Sequence, residues 1–337
     1  MCLGVVNSVL YLLVIMCFVY FDKMGLKGGI IMRICVTGGA GFIGSHLVDR
    51  LIMEGHVVQV IDNLSTGDKA FIHSDAEFVE MDIRDPDLYF VLKEFKPDYI
   101  FHEAAQTEVA VSMSNPQLDC DINLMGLINI LNVAVKLGVK KFLMPSSAAI
   151  YGDLESLPLQ ESMSGEPLSF YGLTKLTAEH YLRIYHEAFN LNYICYRYSN
   201  VYGPRQGNGG EGGVISIFAK AITQDLPIVI YGDGEQTRDF IYVDDVVEAN
   251  MLGMQSQVTG IYNVSTNIAS SVNLLIDEFK KISNKDIQVL YKAPRLGDIK
   301  HSILDNDKIE RDLLFKAKYC LHEGLKRTYE YFRNISY

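Results

Sequence analysis

The stretch Thr37-Gly38-Gly39-Ala40-Gly41-Phe42-Ile43-Gly44 constrains this chain more than any other. It follows the apolar run Arg33-Ile34-Cys35-Val36 and opens an amphipathic segment ending near Glu54, so a β-strand is expected to turn abruptly into a helix on spaced glycines. Gly38 then permits the tight turn, Gly41 lets the backbone approach a pyrophosphate, and Gly44 lets the helix pack on the strand. The helix N-terminus adds free N–H groups and a positive dipole end. The bland reading is a glycine turn without a ligand. Against it stands a second apolar run, Val57 to Ile61, closed by Asp62 18 residues after Gly44. An acid at that distance binds the adenosine ribose hydroxyls and repels a 2′-phosphate, which points to NAD rather than NADP.

The length of 337 residues suits about two domains or one domain with a large lobe, and an apolar fraction of 49% supplies a core. A net charge of -11 without any basic run argues against nucleic acid or anionic membrane surfaces as partners. Six cysteines lack metal-ligand spacing, so no metal site is expected, and they read as reduced core thiols of a cytoplasmic protein. The segment from Leu3 to Phe21 is nearly all apolar, and its roughly 28 Å of helix would approach the thickness of a bilayer core. Two readings stay open for residues 1–31: a membrane anchor that keeps the body cytoplasmic, or an extension upstream of a functional start at Met32.

Apolar strand-like runs then alternate with helical patterns. Runs at 77–81, 99–102, 141–144 and 193–196 are interleaved with helices near 87–95, 116–137 and 171–189. The alternation predicts an α/β fold, a doubly wound parallel sheet of Rossmann type over residues 32–200. Residues 201–337 read mainly as a smaller C-terminal α/β substrate lobe. Asp82-Ile83, closing the third strand, lies where an adenine ring would rest in such a sheet. Ala104 and Ala105 follow the fourth strand, where small side chains admit a cofactor. The apolar faces within 118–137 and 173–189 are ordinary core or, exposed together, a homodimer interface.

Tyr171 and Lys175 stand at i and i+4, on one face of the expected helix. A free Tyr titrates near 10, and a neighbouring ammonium favours its phenolate. Tyr171 could then take a hydroxyl proton while hydride leaves the same carbon. Ser147, 24 residues upstream at a strand end, could hydrogen-bond that hydroxyl. A surface Tyr beside a surface Lys is the bland alternative, and the surrounding dinucleotide pattern weighs against it.

Taken together, these motifs resemble the extended short-chain dehydrogenase/reductases, and most closely the nucleotide-sugar 4-epimerase branch typified by UDP-glucose 4-epimerase. The resemblance runs from about Met32 to the C-terminus. It is carried by the glycine stretch, Asp62-Asn63-Leu64-Ser65-Thr66-Gly67, Ser146-Ser147, Tyr171-Gly172-Leu173-Thr174-Lys175 and Arg197 through Pro204. Tyr231 to Ile241 and Pro294-Arg295-Leu296-Gly297-Asp298 extend it into the lobe. The resemblance implies tightly bound NAD acting as a catalytic group, with Phe42, Ile43 and Asn63 joining the contacts already named. It implies Tyr171 as base, Lys175 on the nicotinamide ribose, Ser147 at the sugar O4, and a transient 4-keto sugar to which hydride returns on the opposite face. The implied substrate is a UDP-hexose, its diphosphate anchored by Arg238 and Arg295 and contacted by Asn200.

Related dehydratases carry an Asp-Glu pair just after the Ser/Thr, because eliminating water needs an extra acid and base. Ala148 and Ala149 occupy those places here, and Ala149 also weakens a decarboxylase reading. Ser302 stands where some epimerases have a bulky Tyr, which leaves room for an N-acetyl group. The remaining alternatives are another NAD-dependent enzyme of nucleotide sugars (decarboxylase, dehydratase or reductase) and a non-catalytic NAD-binding regulator. The second commonly loses the Tyr or the Lys, and both are present.

Overall fold

The structure, a computed structural model, describes residues 30–207, 212–294 and 299–335. The apolar 3–21 segment, Arg295 and Asp298 lie outside the described residues. In chain order the strands are β1 (Arg33–Thr37), β2 (Val57–Asp62), β3 (Glu77–Glu80), β4 (Tyr99–His102), β5 (Lys141–Ser147), β6 (Tyr193–Tyr198) and β7 (Asn200–Tyr202). They continue as β8 (Ile228–Tyr231), β9 (Thr237–Tyr242), β10 (Gly260–Val264), β11 (Ala269–Ser271), β12 (Val289–Lys292) and β13 (His301–Ser302).

Seven of them form one parallel sheet in the order β10-β6-β5-β4-β1-β2-β3. Both faces are covered, as the alternation predicts for strands apolar on two sides. In β1 the alternation is visible residue by residue: Ile34 and Val36 join the core shared with Leu47, Leu51 and Val246, while Cys35 joins the one with Leu131, Phe142 and Leu182. Each such side chain removed from water contributes on the order of 1.5–3 kcal/mol. Order reverses between β1 and β4, whose carboxyl ends part and open the crevice where such sheets bind ligands.

Two expectations are corrected. The chain does not leave the large sheet for good after residue 200: the helix Val243–Gln255 packs on it, and β10 pairs with β6 as its last strand. Of the four described cysteines, Cys35 and Cys195 are buried, but Cys120 and Cys320 are exposed, because each stands at the end of a helix rather than within its apolar stripe.

The helix expected over 116–137 is also more varied. Pro116–Cys120 is α-helical, Asp121–Gly126 widens into a π-turn, and Leu127–Leu137 resumes the α-helix. By length and hydropathy the whole span could cross a membrane, yet Leu127, Ile130, Leu131, Val133 and Ala134 are buried against the sheet. The lobe has its own core of Tyr202, Phe218, Phe240, Phe279 and Phe332. Its small sheet runs β11-β9-β13, with β7 also on β9.

Candidate active site

The glycine turn is forced by sterics. Gly38 has φ +69°, and a Cβ there would lie 2.5 Å from the Ala104 backbone nitrogen. A Cβ on Gly44 would stand 2.2 Å from the Gly38 carbonyl oxygen, so the helix Phe42–Met53 can approach the turn only without a side chain. No side chain caps that helix at Gly41, which leaves first-turn N–H groups around Phe42 and Ile43 to meet a ligand. Asp62 ends β2 with its carboxylate accepting from Ala40 N at 3.0 Å and Leu64 N at 2.8 Å. Each of its oxygens keeps a further lone pair for a ribose hydroxyl.

The end of the crevice expected to take the adenine is braced by a polar cluster. Asn63 donates to Asp82 Oδ2 at 2.8 Å, and Arg84 Nε and Nη2 grip the two oxygens of the same carboxylate at 2.8 Å each. The Arg84 guanidinium holds the Asp82 carboxyl well below the usual carboxylate range. Ile83 is buried beside Gly126. These residues fit a dinucleotide: a cradle that a Cβ would fill, an uncapped helix start and a carboxylate with spare acceptor capacity.

At the far end of the crevice, Ser169 Oγ caps the helix Phe170–Phe189 by accepting from Gly172 N at 3.1 Å. Tyr171 and Lys175 fall in its first two turns on one face, with the ammonium 5.9 Å from the phenol ring centroid. Lys175 is buried and donates to Pro145 O at 3.1 Å. Burial pulls the Lys175 ammonium down, and nearby Cys195, Glu103, Asp119 and Glu179 push it back up. Burial pushes the Tyr171 phenol up, its hydrogen bond with Ser147 pulls the other way, and Asp119 adds to the rise. Lowering the Tyr171 barrier to ionisation therefore depends on positive charge gathered beside it. His102 is driven down to about 3 by burial and so is neutral, with Nδ1 2.8 Å from Thr37 Oγ1.

The expected substrate residues converge through strand pairing. Ser147 is opposite Tyr198 in the β5–β6 register, and β6 runs through Ser199 directly into Asn200 of β7. Asn200 is opposite Phe240 in β9, two residues beyond Arg238, and Arg238 is opposite Ser302 in β13. Arg238 Nη1 donates to Thr237 O at 2.8 Å. One continuous path of backbone thus links Ser147, Asn200, Arg238 and Ser302.

Comparison with known proteins turns this arrangement into a family assignment. Residues 34–265 match the model of the NAD dependent epimerase/dehydratase family. The chain belongs to that family. It is 43% identical over 302 residues to a putative UDP-glucose 4-epimerase of Methanocaldococcus jannaschii, covering 89% of this chain and 98% of the relative. Among solved structures, UDP-glucose 4-epimerase of Thermotoga maritima with UDP-glucose superposes with a TM-score of 0.88 at 42% identity, over 90% of this chain and 99% of that one. The UDP-N-acetylglucosamine 4-epimerase of Methanobrevibacter ruminantium M1, in complex with UDP-N-acetylmuramic acid, gives a TM-score of 0.86 at 37% identity, over 90% and 98%.

For a member of the NAD-dependent epimerase/dehydratase family, several important neighbours escaped the sequence reading. Asp119 is fully buried and accepts from Gln106 Nε2 at 2.7 Å, Thr174 Oγ1 at 2.8 Å and Asn123 Nδ2 at 3.2 Å. Asn123 also exchanges two hydrogen bonds with the Gln106 backbone, at 2.9 and 3.0 Å. The network ties the loop after β4 to the helix that carries Tyr171 and Lys175. The available signal was a polar pair, Asp119 and Asn123 at i and i+4, on a helix read as plainly apolar.

Proposed function

We propose that the protein is an NAD-dependent 4-epimerase acting on UDP-hexoses through a transient 4-keto sugar. One observation carries the reading: Ser147, Tyr171 and Lys175 meet at the crevice of a dinucleotide fold, while Ala148 and Ala149 in the turn Ala148–Tyr151 offer no second acid or base. Elimination of water needs such a pair, and epimerisation does not. The Tyr171 phenolate takes the proton of the sugar 4-hydroxyl, becoming the phenol, and later returns it, with Ser147 fixing that hydroxyl in line. When bound, NAD supplies a hydride acceptor and donor at the same carbon. Lys175 holds positive charge beside the phenol. Asn200 and Arg238 keep the diphosphate in place while the sugar turns, the guanidinium through charge-assisted hydrogen bonds.

The small Ser302 opposite Arg238 supports a pocket that also accepts the N-acetylhexosamine pair. Incubation with UDP-glucose and with UDP-N-acetylglucosamine, followed by NMR of the products, should show C4 epimers of both and no net NADH. Stoichiometric NADH release would overturn the epimerase reading, and turnover of UDP-glucose alone would remove the pocket-size argument.

A homodimer is the proposed assembly. Met113, Leu118, Met125, Leu173 and Ile184 are large apolar side chains left exposed on helices that pack side by side. Exposed large apolar side chains gathered on packed helices suit an association site. Analytical ultracentrifugation should give a dimer for the native chain and a monomer for Leu173→Arg; a native monomer at micromolar concentration would count against this.

A further inference from the structure

Three buried or partly buried acids act on Lys175: Glu103, Asp119 and Glu179. Glu179 is paired with the Arg197 fork, and Asp119 is held by Gln106, Thr174 and Asn123. Glu103 differs from both. It follows β4, with its backbone N–H donating to Thr37 O at 2.9 Å. Its Oε1 is completely enclosed and has no hydrogen-bond partner among the described residues. Asn250 Oδ1 is in the same condition, since the amide nitrogen of Asn250 donates to Tyr198 Oη at 2.7 Å and to Val246 O at 2.9 Å.

Glu103 acts electrostatically on Tyr196 and Tyr198 from β6 and on Lys175 from the catalytic helix. Among the described residues these are the titratable groups coupled to it. The neighbouring His102 is neutral and bonded to Thr37, and the Gly38 turn packed on Glu103 carries no charge. An enclosed carboxylate oxygen without a donor is costly, whereas a protonated carboxyl has no net charge and becomes a donor itself. Burial accordingly pushes the Glu103 carboxyl up to about 7, the Lys175 ammonium pulling the other way.

We propose that Glu103 is a positioning residue of the active site that takes up and releases one proton, and by its charge sets how strongly Lys175 favours the Tyr171 phenolate. The idea rests on Tyr171 being the base. With Glu103 neutral, the ammonium acts on the phenol with one opposing charge fewer. With Glu103 ionised, its proton passes to water and the carboxylate offsets part of that field.

Glu103→Gln keeps the shape of the neutral acid and cannot ionise. Infrared difference spectra of the native protein between acid and alkaline pH, with and without carbon-13 glutamate, should show a protonated glutamic acid band lost near neutral pH and missing from Glu103→Gln. The acid limb of log kcat against pH should move to lower pH by about half a unit or more in the variant, with NAD content and urea midpoint unchanged. A native spectrum without any protonated glutamic acid at pH 6 overturns the proposal, whatever the reaction proves to be. So does an unmoved kcat profile. Absence of epimerase activity in the native enzyme would strike instead at the assignment of Tyr171.

Discussion

Replacing Tyr171 by Phe should cut kcat about 10³-fold or more while NAD remains bound. The Tyr171 oxygen is hydrogen-bonded with Ser147 and lies beside Lys175, and once ionised it is the base of the proposed reaction; general acid–base groups contribute about 10²–10⁴-fold. The ring is kept, so the packing of the helix on the turn Ala148–Tyr151 persists, and the groups proposed to cradle the dinucleotide lie elsewhere, at Gly38, Gly44 and Asp62. Stopped turnover with NAD retained, measured by acid release of the nucleotide, would locate the loss in proton transfer. A variant that keeps a tenth of native kcat would show that another group removes the proton.

Arg197→Met should destabilise the fold by about 3–5 kcal/mol, the cost of leaving one partner of a buried ion pair alone. Arg197 and Glu179 are almost wholly buried, joined at 2.7 and 3.0 Å. The same carboxylate accepts from Ser146 Oγ at 2.6 Å, and Arg197 Nη1 donates to Tyr151 Oη at 2.8 Å, which in turn donates to Asn263 Oδ1 at 2.8 Å. The pair therefore joins β5, β6, β10 and the catalytic helix. The double variant Arg197→Met/Glu179→Leu should recover much of the loss, because neither charge is then stranded. Urea unfolding measures both; a single variant within 1 kcal/mol of native would mean that water reaches the carboxylate.

What the sequence disclosed and what it hid follow from the range of the interactions. The glycine turn, Asp62 and the Tyr171–Lys175 pair were legible because their meaning lies in local spacing: positive φ at Gly38, strand end to strand end, one helix face. The seven-stranded sheet was legible up to β6 by the same alternation. β10 was not: the strand and helix before it, Thr237–Tyr242 and Val243–Gln255, lie among shorter mixed elements, and only pairing with Tyr193–Tyr198, more than sixty residues away, places Gly260–Val264 in the large sheet. The network of Asp119 was hidden for a related reason: its partners Gln106 and Thr174 come from a loop and a helix that are distant in the chain. Glu103 was passed over because its neighbours in sequence, His102 and Ala104, say nothing of the tyrosines it faces.

The return of the chain at β10 has a consequence for how the molecule can be cut or inherited. A fragment ending at residue 200 would expose the whole flank of β6, a six-residue strand with three tyrosines, with its N–H and C=O groups on that side unpaired, and such an edge recruits other chains. The Rossmann half is therefore not a detachable module. The chain enters the lobe after β6, comes back to give the sheet its last strand at β10, and re-enters the lobe for β11 and β13, so no single cut separates the part with the proposed sugar site from the part with the dinucleotide crevice.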